Sequence, residues 1–189
     1  AEVAAQLCRE GMVAVALHGD LEQLHRNQTL IRFANGSANV LVASDVAARG
    51  LDIEAVDVVF NYSLPAQPEV YTHRIGRTGR GGESGSALSL VADREMNRLH
   101  AIEAFSDQDP MPALQLPDHS PDGRLAEPQY VTLEVNGGRR HKLRPGDILG
   151  ALTAHKDITG AVVGKIDLLD QSTYVAVHSS VAPAAVKQM

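Results

Sequence analysis

Residues 73–80 read His73-Arg74-Ile75-Gly76-Arg77-Thr78-Gly79-Arg80, three arginines and two glycines in a segment that is not a basic tail. With Pro68 as an entry point, the stretch predicts a helix on which Arg77 and Arg80, three apart, share one face. A guanidinium presents a planar fork of donors that matches phosphate oxygens and keeps its charge at any working pH. Two such forks aimed at one point suit the charge that builds on a transferring phosphoryl group. The glycines let the helix end and let another surface come close. Two blander readings stand beside this one: an amphipathic helix with solvated arginines, or a loose Gly-rich RNA binder across Gly79–Gly85.

Outward from this stretch, the chain alternates between two periodicities. Val13–Leu17, Val40–Ala43, Val56–Phe60 and Ser86–Val91 are short apolar runs that predict buried strands. Residues 2–10 predict a helix stopped at Gly11. Asp20 reads as an N-cap with Gln23 at N3, opening a helix with Leu24, Ile31 and Ala34 on its apolar face and Gly36 at its close. Asp93–Phe105 predicts another, with Met96, Leu99 and Ile102 on one side. Strands alternating with helices predict crossover connections and a parallel sheet, with ligands beyond the carboxyl ends of the strands.

A second stretch gives the pattern a family. Ser44-Asp45-Val46-Ala47-Ala48-Arg49-Gly50-Leu51-Asp52-Ile53, followed by HRIGRTGR, resembles motifs V and VI of the DEAD-box RNA helicases. His18-Gly19-Asp20 and Gln23-Leu24-His25-Arg26 resemble the same family's HGD segment and Q-x-x-R element. The resemblance implies a RecA-like helicase C-terminal domain working opposite a first such domain, with nucleotide between them and RNA across both. It implies that Arg77 and Arg80 are arginine fingers on the γ-phosphate, that Asp52 accepts from the ribose, and that Gly50 permits close approach. Arg49 and His73 would tie the ATP and RNA faces together. Gly19, Arg26, Ser44 and Arg49 would meet the RNA backbone, which positions RNA without reading its sequence. Ser44 departs from the family's usual Thr but keeps the hydroxyl. The cofactor implied is ATP with Mg²⁺, held mainly by a first domain this sequence lacks.

Absences weigh as much. A P-loop needs Gly-Lys-[Ser/Thr], and the first lysine here is Lys142, while Gly164-Lys165 is followed by Ile166. There is no Asp-Glu-Ala-Asp stretch. The expectation is an RNA-dependent ATPase and helicase as the complete protein, with this chain inactive on its own. Asp45 and Asp52 are a weak metal pair without a third ligand, Asp45 serving equally well as a cap, and His18 and His25 read as solvated or capping, so no metal is expected. Cys8 is the sole cysteine, read as a small buried hydrophobe without a disulfide partner. No apolar run nears the ~20 residues of a membrane span, and no signal pattern opens the chain, so a cytoplasmic location is expected; a monomer is expected as well. Residues 1–127 hold 10 Arg, no Lys and 18 Asp+Glu, a net of −8, whereas residues 128–189 hold 7 Lys+Arg and 5 Asp+Glu, a net of +2. That asymmetry suits nucleic-acid contact at local patches.

The fold class expected is α/β: a parallel-sheet RecA-like domain at 1–106 without its first strand, then a Pro-rich linker at 107–128 and a small α+β domain at 129–189. Five of the nine prolines lie in the linker. The last domain reads Tyr130–Val135 as a strand, Asn136-Gly137-Gly138 as a turn, and Arg139-Arg140-His141-Lys142 as a basic cluster. A helix from Arg144, a hairpin of Val163–Leu169 with Thr173–Val177, and a helix at Pro183–Met189 follow. That order is an RNA-recognition-motif fold lacking its last strand. Its wording resembles the RNA-binding domain of DbpA-type helicases, which implies a large-subunit ribosomal RNA hairpin as partner and a role in ribosome assembly. Tyr130 and Tyr174 are its only aromatics, with Tyr174 read as packing. Arg139, Arg140, Lys142 and Lys165 are therefore the candidates for RNA, against a solvated turn as the plain alternative. A non-catalytic RNA-binding adaptor with a degenerate helicase domain is the rival function, and a DNA-directed helicase a more distant one.

Overall fold

The computed structural model describes residues 1–48, 56–79, 84–106, 110–115 and 127–189. They belong to two compact units, Ala1–Arg49 with Arg124–Met189 and Gly50–Gly123.

The first unit opens with helix α1 (Glu2–Arg9), which ends where Gly11 takes a left-handed φ of 88°. Strands β1 (Ala14–Leu17) and β2 (Val40–Ala43) pair in parallel, in register from Ala14↔Val40 to Leu17↔Ala43. Between them runs α2 (Gln23–Ala34), stopped at Asn35 with Gly36 at φ 66°. Its start corrects the sequence expectation. Leu21 N–H bonds to the His18 carbonyl at 3.3 Å, so Asp20 is used up inside a turn, and Glu22 occupies the N-cap position. The Asp20 carboxylate instead lies 3.5 Å from His18 Nδ1. Leu24 and Ala34 are exposed rather than core. Cys8 also departs from expectation: it is exposed, its thiol directed at the Ala14 carbonyl at 3.3 Å. A short helix α3 (Asp45–Ala48) follows β2 directly.

In the second unit, β3 (Val58–Asn61) and β4 (Ser86–Ser89) form another parallel pair, with Asn61 opposite Ser89. Parallel pairing is as the alternation predicts. Helix α4 (Pro68–Ile75) begins with Pro68 in its first turn, where a missing N–H costs nothing, and α5 (Met96–Ser106) follows a single 3₁₀ turn. Leu64, Tyr71 and Ile102 make the core, with Ile75, Leu99 and Met111 against it. Glu95 is buried here, and its carboxylate accepts from the N–H groups of Leu64 (3.2 Å) and Ala92 (3.4 Å) and from Arg98 (3.4 Å). A buried carboxylate is tolerable when its lone pairs are met this way.

The rest of the first unit is an antiparallel sheet in the order β5-β7-β6, built from β5 (Tyr130–Val135), β6 (Val163–Leu168) and β7 (Thr173–His178). Helices α6 (Pro145–Thr153) and α7 (Ala182–Gln188) cover one face, where Ile148, Leu152, Ile158, Val175, Val177 and Ala185 form a core. Period-2 alternation should expose the other face. Yet Tyr174 and Ala176 are also buried, at 4% and 1% exposure. Residues around α2 meet that face: Gln28 Nε2 donates to the Tyr174 hydroxyl at 3.0 Å, and the Ser37 and Thr132 hydroxyls lie 2.6 Å apart. Tyr174 is thus a packing residue, as expected, its own O–H donating to Glu134 at 2.8 Å.

Candidate functional site

In the first unit the chain leaves β1 and β2 at the same end, and Ser44 N–H bonds to the Leu17 carbonyl at 3.1 Å. This puts the His18-Gly19-Asp20 turn beside Ser44 at the carboxyl ends of a parallel pair. Arg26, in the first turns of α2, reaches the same edge: its Nη2 donates to the Ala47 carbonyl at 3.4 Å. Gly19, Ser44 and Arg26 are therefore brought together. A Cβ built on Gly19 would meet nothing within 4 Å among the described residues, and its φ is ordinary. Among the described residues, neither packing nor backbone conformation requires a glycine there. Arg49, Gly50 and Asp52 lie outside the described residues.

In the second unit the HRIGRTGR stretch differs from its expectation. Helix α4 stops at Ile75, with Gly76 at its C-cap, where a Cβ would stand 3.1 Å from the Thr72 carbonyl oxygen. Arg77 therefore lies beyond the helix rather than on its face, and Arg80 lies outside the described residues. Backbone bonds tie Arg77 in place. Its N–H bonds to the Arg74 carbonyl (3.1 Å), and its carbonyl accepts from Val56 N–H just before β3 (3.0 Å). Thr78 adds a side-chain bond to the Asp57 carbonyl at 3.0 Å. Gly79 has φ 64°, and a Cβ on Gly85 would collide with the Thr78 hydroxyl. His73 is exposed in the last turn of α4.

Sequence reasoning passed over Arg74. Its guanidinium donates to Asn61 Oδ1 at 3.0 Å and to the Ser63 carbonyl at 2.8 Å. Asn61 is 2% exposed, and its Nδ2 donates to Ser89 on β4 at 3.2 Å. The one available signal was an Asn ending an apolar run, VVFN, where a further apolar residue would be ordinary.

In the sheet module, Arg139–His141 form one 3₁₀ turn after β5. The turn is docked by its backbone on the β6–β7 connection: Arg139 N–H bonds to the Leu169 carbonyl (2.9 Å) and Arg140 N–H to the Asp170 carbonyl (3.0 Å). His141 Nδ1 accepts from Gly138 N–H at 3.1 Å, and Lys142 closes the turn at φ 61°. The backbone is spent on the fold, whereas Arg139, Arg140 and Lys142 are all exposed. Lys165 stands on a different element, at the bulge that shifts β6 between Val163 and Ile166, with Nζ 3.5 Å from Asp167 Oδ1. A carboxylate so close offsets part of its charge for any anionic partner. Among the described residues, no three His, Cys, Asp or Glu side chains gather to hold a metal, and no helix is long and apolar enough to cross a membrane.

Two family models match the chain: the helicase conserved C-terminal domain over residues 1–82 and the DbpA RNA binding domain over residues 132–189. The ATP-dependent RNA helicase DbpA of Escherichia coli is 49% identical over 183 residues, which is 95% of this chain and 39% of that protein. The DEAD-box ATP-dependent RNA helicase CshA of Geobacillus kaustophilus is 50% identical over 102 residues, 54% of this chain and 22% of that protein. Among solved structures, the E. coli DEAD-box protein SrmB bound to regulator of ribonuclease activity A superposes with a TM-score of 0.59 at 38% identity, covering 67% of this chain and 74% of that one. Dbp5 of S. cerevisiae, bound to RNA and ADP BeF3, gives 0.52 at 42% identity, covering 56% of this chain and 29% of that one. The chain thus spans about two fifths of the E. coli DbpA relative.

Proposed function

The chain belongs to the DEAD-box RNA helicases, in the DbpA type, and from that premise we propose that it is the half of an ATP-dependent RNA helicase that carries the arginine fingers and the RNA-targeting module. The complete protein would part short RNA duplexes, acting on a large-subunit ribosomal RNA hairpin during ribosome assembly. It would work as a monomer in the cytoplasm. The proposed boundaries are a RecA-like domain at 1–106, a linker at 107–128 and the RNA-binding domain at 129–189.

The observation that carries this reading is the gathering of Gly19, Ser44 and Arg26 at the carboxyl ends of β1 and β2. Open α/β sheets bind ligands there. A backbone N–H without a Cβ shield, a hydroxyl and a guanidinium are the donors that an RNA backbone needs. Arg49 would join them.

Arg77 fits the phosphate end of a nucleotide by the chemistry of its donors, on a turn that backbone bonds hold at both ends. Arg77 and Arg80 would present fixed positive charge where negative charge builds on the transferring group, and a charge already in place needs no reorganisation. Asp52 would accept from the ribose beside Gly50. ATP with Mg²⁺ supplies the bond that is cleaved, and the residues that hold the metal would come from a P-loop domain outside this sequence. The module would anchor the enzyme through Arg139, Arg140 and Lys142, with Lys165 a lesser contact. The centre of its sheet face opposite α6 and α7 is buried at Tyr174 and Ala176, which favours the basic turn over a stacking platform.

The test is fluorescence anisotropy on this chain with a labelled large-subunit ribosomal hairpin and a scrambled hairpin at two salt concentrations. Preference for the ribosomal hairpin that survives the higher salt is expected. Equal binding erased by salt would reduce the module to a generic basic patch.

A further inference from the structure

We propose that Arg74 is a positioning residue for Arg77, a strut that fixes the exit of α4 against the far end of β3 and so aims the finger. The proposal rests on the reading of Arg77 as a finger. Its basis is a pair of anchors at opposite ends of one strand. Next to the start of β3, Val56 and Asp57 hold Arg77 and Thr78 through the bonds at 3.0 Å described above. At the other end, Asn61 and Ser63 hold the guanidinium of Arg74 at 3.0 and 2.8 Å. Arg74 and Arg77 are joined by their own backbone bond at 3.1 Å. The last turn of α4 is thereby pinned along β3 at two points.

Arg74 directs Nη1 at two protein acceptors, and one of them, Asn61, is buried and has both ends of its amide paired. A buried amide that lost this donor would keep an unmet carbonyl oxygen, so the contact is costly to break and defines one position. Asn61 in turn bonds Ser89, its register partner on β4. The strut therefore ends on a cross-linked strand pair and not on a loop. Arg77 lies past the Gly76 cap and is tied to the last turn of α4 through its own N–H, so its position follows that turn.

The experiment uses the complete enzyme and single-turnover phosphate release with saturating RNA. Arg74→Gln should lower the rate about 10²-fold, the size of loss that a misplacement of about 1 Å produces. RNA affinity without nucleotide and the KM for ATP should stay within about twofold. Asn61→Leu should reproduce the loss, while Asn61→Asp, which keeps an acceptor for the guanidinium, should recover most of the rate. The deciding arm is the double variant. If Arg74 acts through Arg77, then Arg74→Gln with Arg77→Ala is no slower than Arg77→Ala alone. A further 10²-fold loss in the double variant overturns the proposal and leaves the finger reading standing, as does full activity of Arg74→Gln. Full activity of Arg77→Ala overturns both. Should Arg74→Gln fail to fold, the comparison of Asn61→Leu with Asn61→Asp on the Arg77→Ala background makes the same decision.

Discussion

A methyl group added at Gly138 would lie 2.3 Å from the Leu169 carbonyl oxygen and 2.7 Å from the Asp170 carbonyl carbon, both backbone atoms that cannot swing away. The same addition at Gly19 meets nothing within 4 Å among the described residues. Gly138 serves the fold, whereas no described residue packs against a side chain at Gly19. Gly138→Ala should destabilise the module by about 1–3 kcal/mol, the usual cost of overpacking, seen as a lower Tm. Gly19→Ala should leave the Tm unchanged and weaken RNA binding by the complete protein about tenfold, because the methyl would stand over the N–H offered to the RNA backbone. Unchanged RNA affinity would remove Gly19 from the site. Arg77→Ala makes the complementary case: a loss of about 10³–10⁵ in ATP turnover with RNA affinity preserved, as finger removal does in related phosphoryl transfer. Equal losses in turnover and affinity would mark Arg77 as structural.

At the scale of elements, the module was legible almost residue by residue, and Asp147 shows why. Its carboxylate accepts from Arg144 N–H at 2.8 Å, half of a capping box, just where Pro145 starts α6. Asp147→Ala should cost about 1 kcal/mol and lower the Tm of the module by roughly 4–8 °C, a shift that thermal unfolding followed by circular dichroism resolves. Local chemistry of that kind can be read from spacing. It misleads where two local solutions compete: Asp20 has the right neighbours for an N-cap, yet the turn from His18 to Leu21 takes it first, and α2 starts at Gln23. It fails where the partner is distant in sequence. Nothing near Tyr174 announces that Gln28, 146 residues earlier, will meet its hydroxyl. Nor does anything in HRIGRTGR say that Arg74 points inward to Asn61, while Arg77 lies past the helix. Motifs single out residues and leave their placement to the fold.

Across the whole molecule, charge and missing parts set what the chain can do alone. The body carries a net of −8 and the C-terminal stretch only +2, so RNA attraction has to come from a few placed cations rather than from overall charge. If Arg77 and Arg80 act as proposed, they would stabilise a transferring phosphate without being able to hold one, so this chain should bind RNA and show no RNA-stimulated phosphate release. Turnover by the purified chain would sink that division of labour. The binding half can be counted. Each phosphate neutralised releases condensed counterions, and log K against log salt falls by about 0.7–0.9 per contact. Arg139, Arg140 and Lys142 share one exposed turn whose backbone is already committed to Leu169 and Asp170. Replacing all three with alanine should therefore leave the fold intact and flatten the slope by about 2–3. Lys165→Ala should flatten it by less than one contact, since Asp167 lies 3.5 Å from its ammonium. If the triple variant keeps the parent slope, the cations that hold RNA lie elsewhere in the chain, and the basic turn is only a solvated corner of the module.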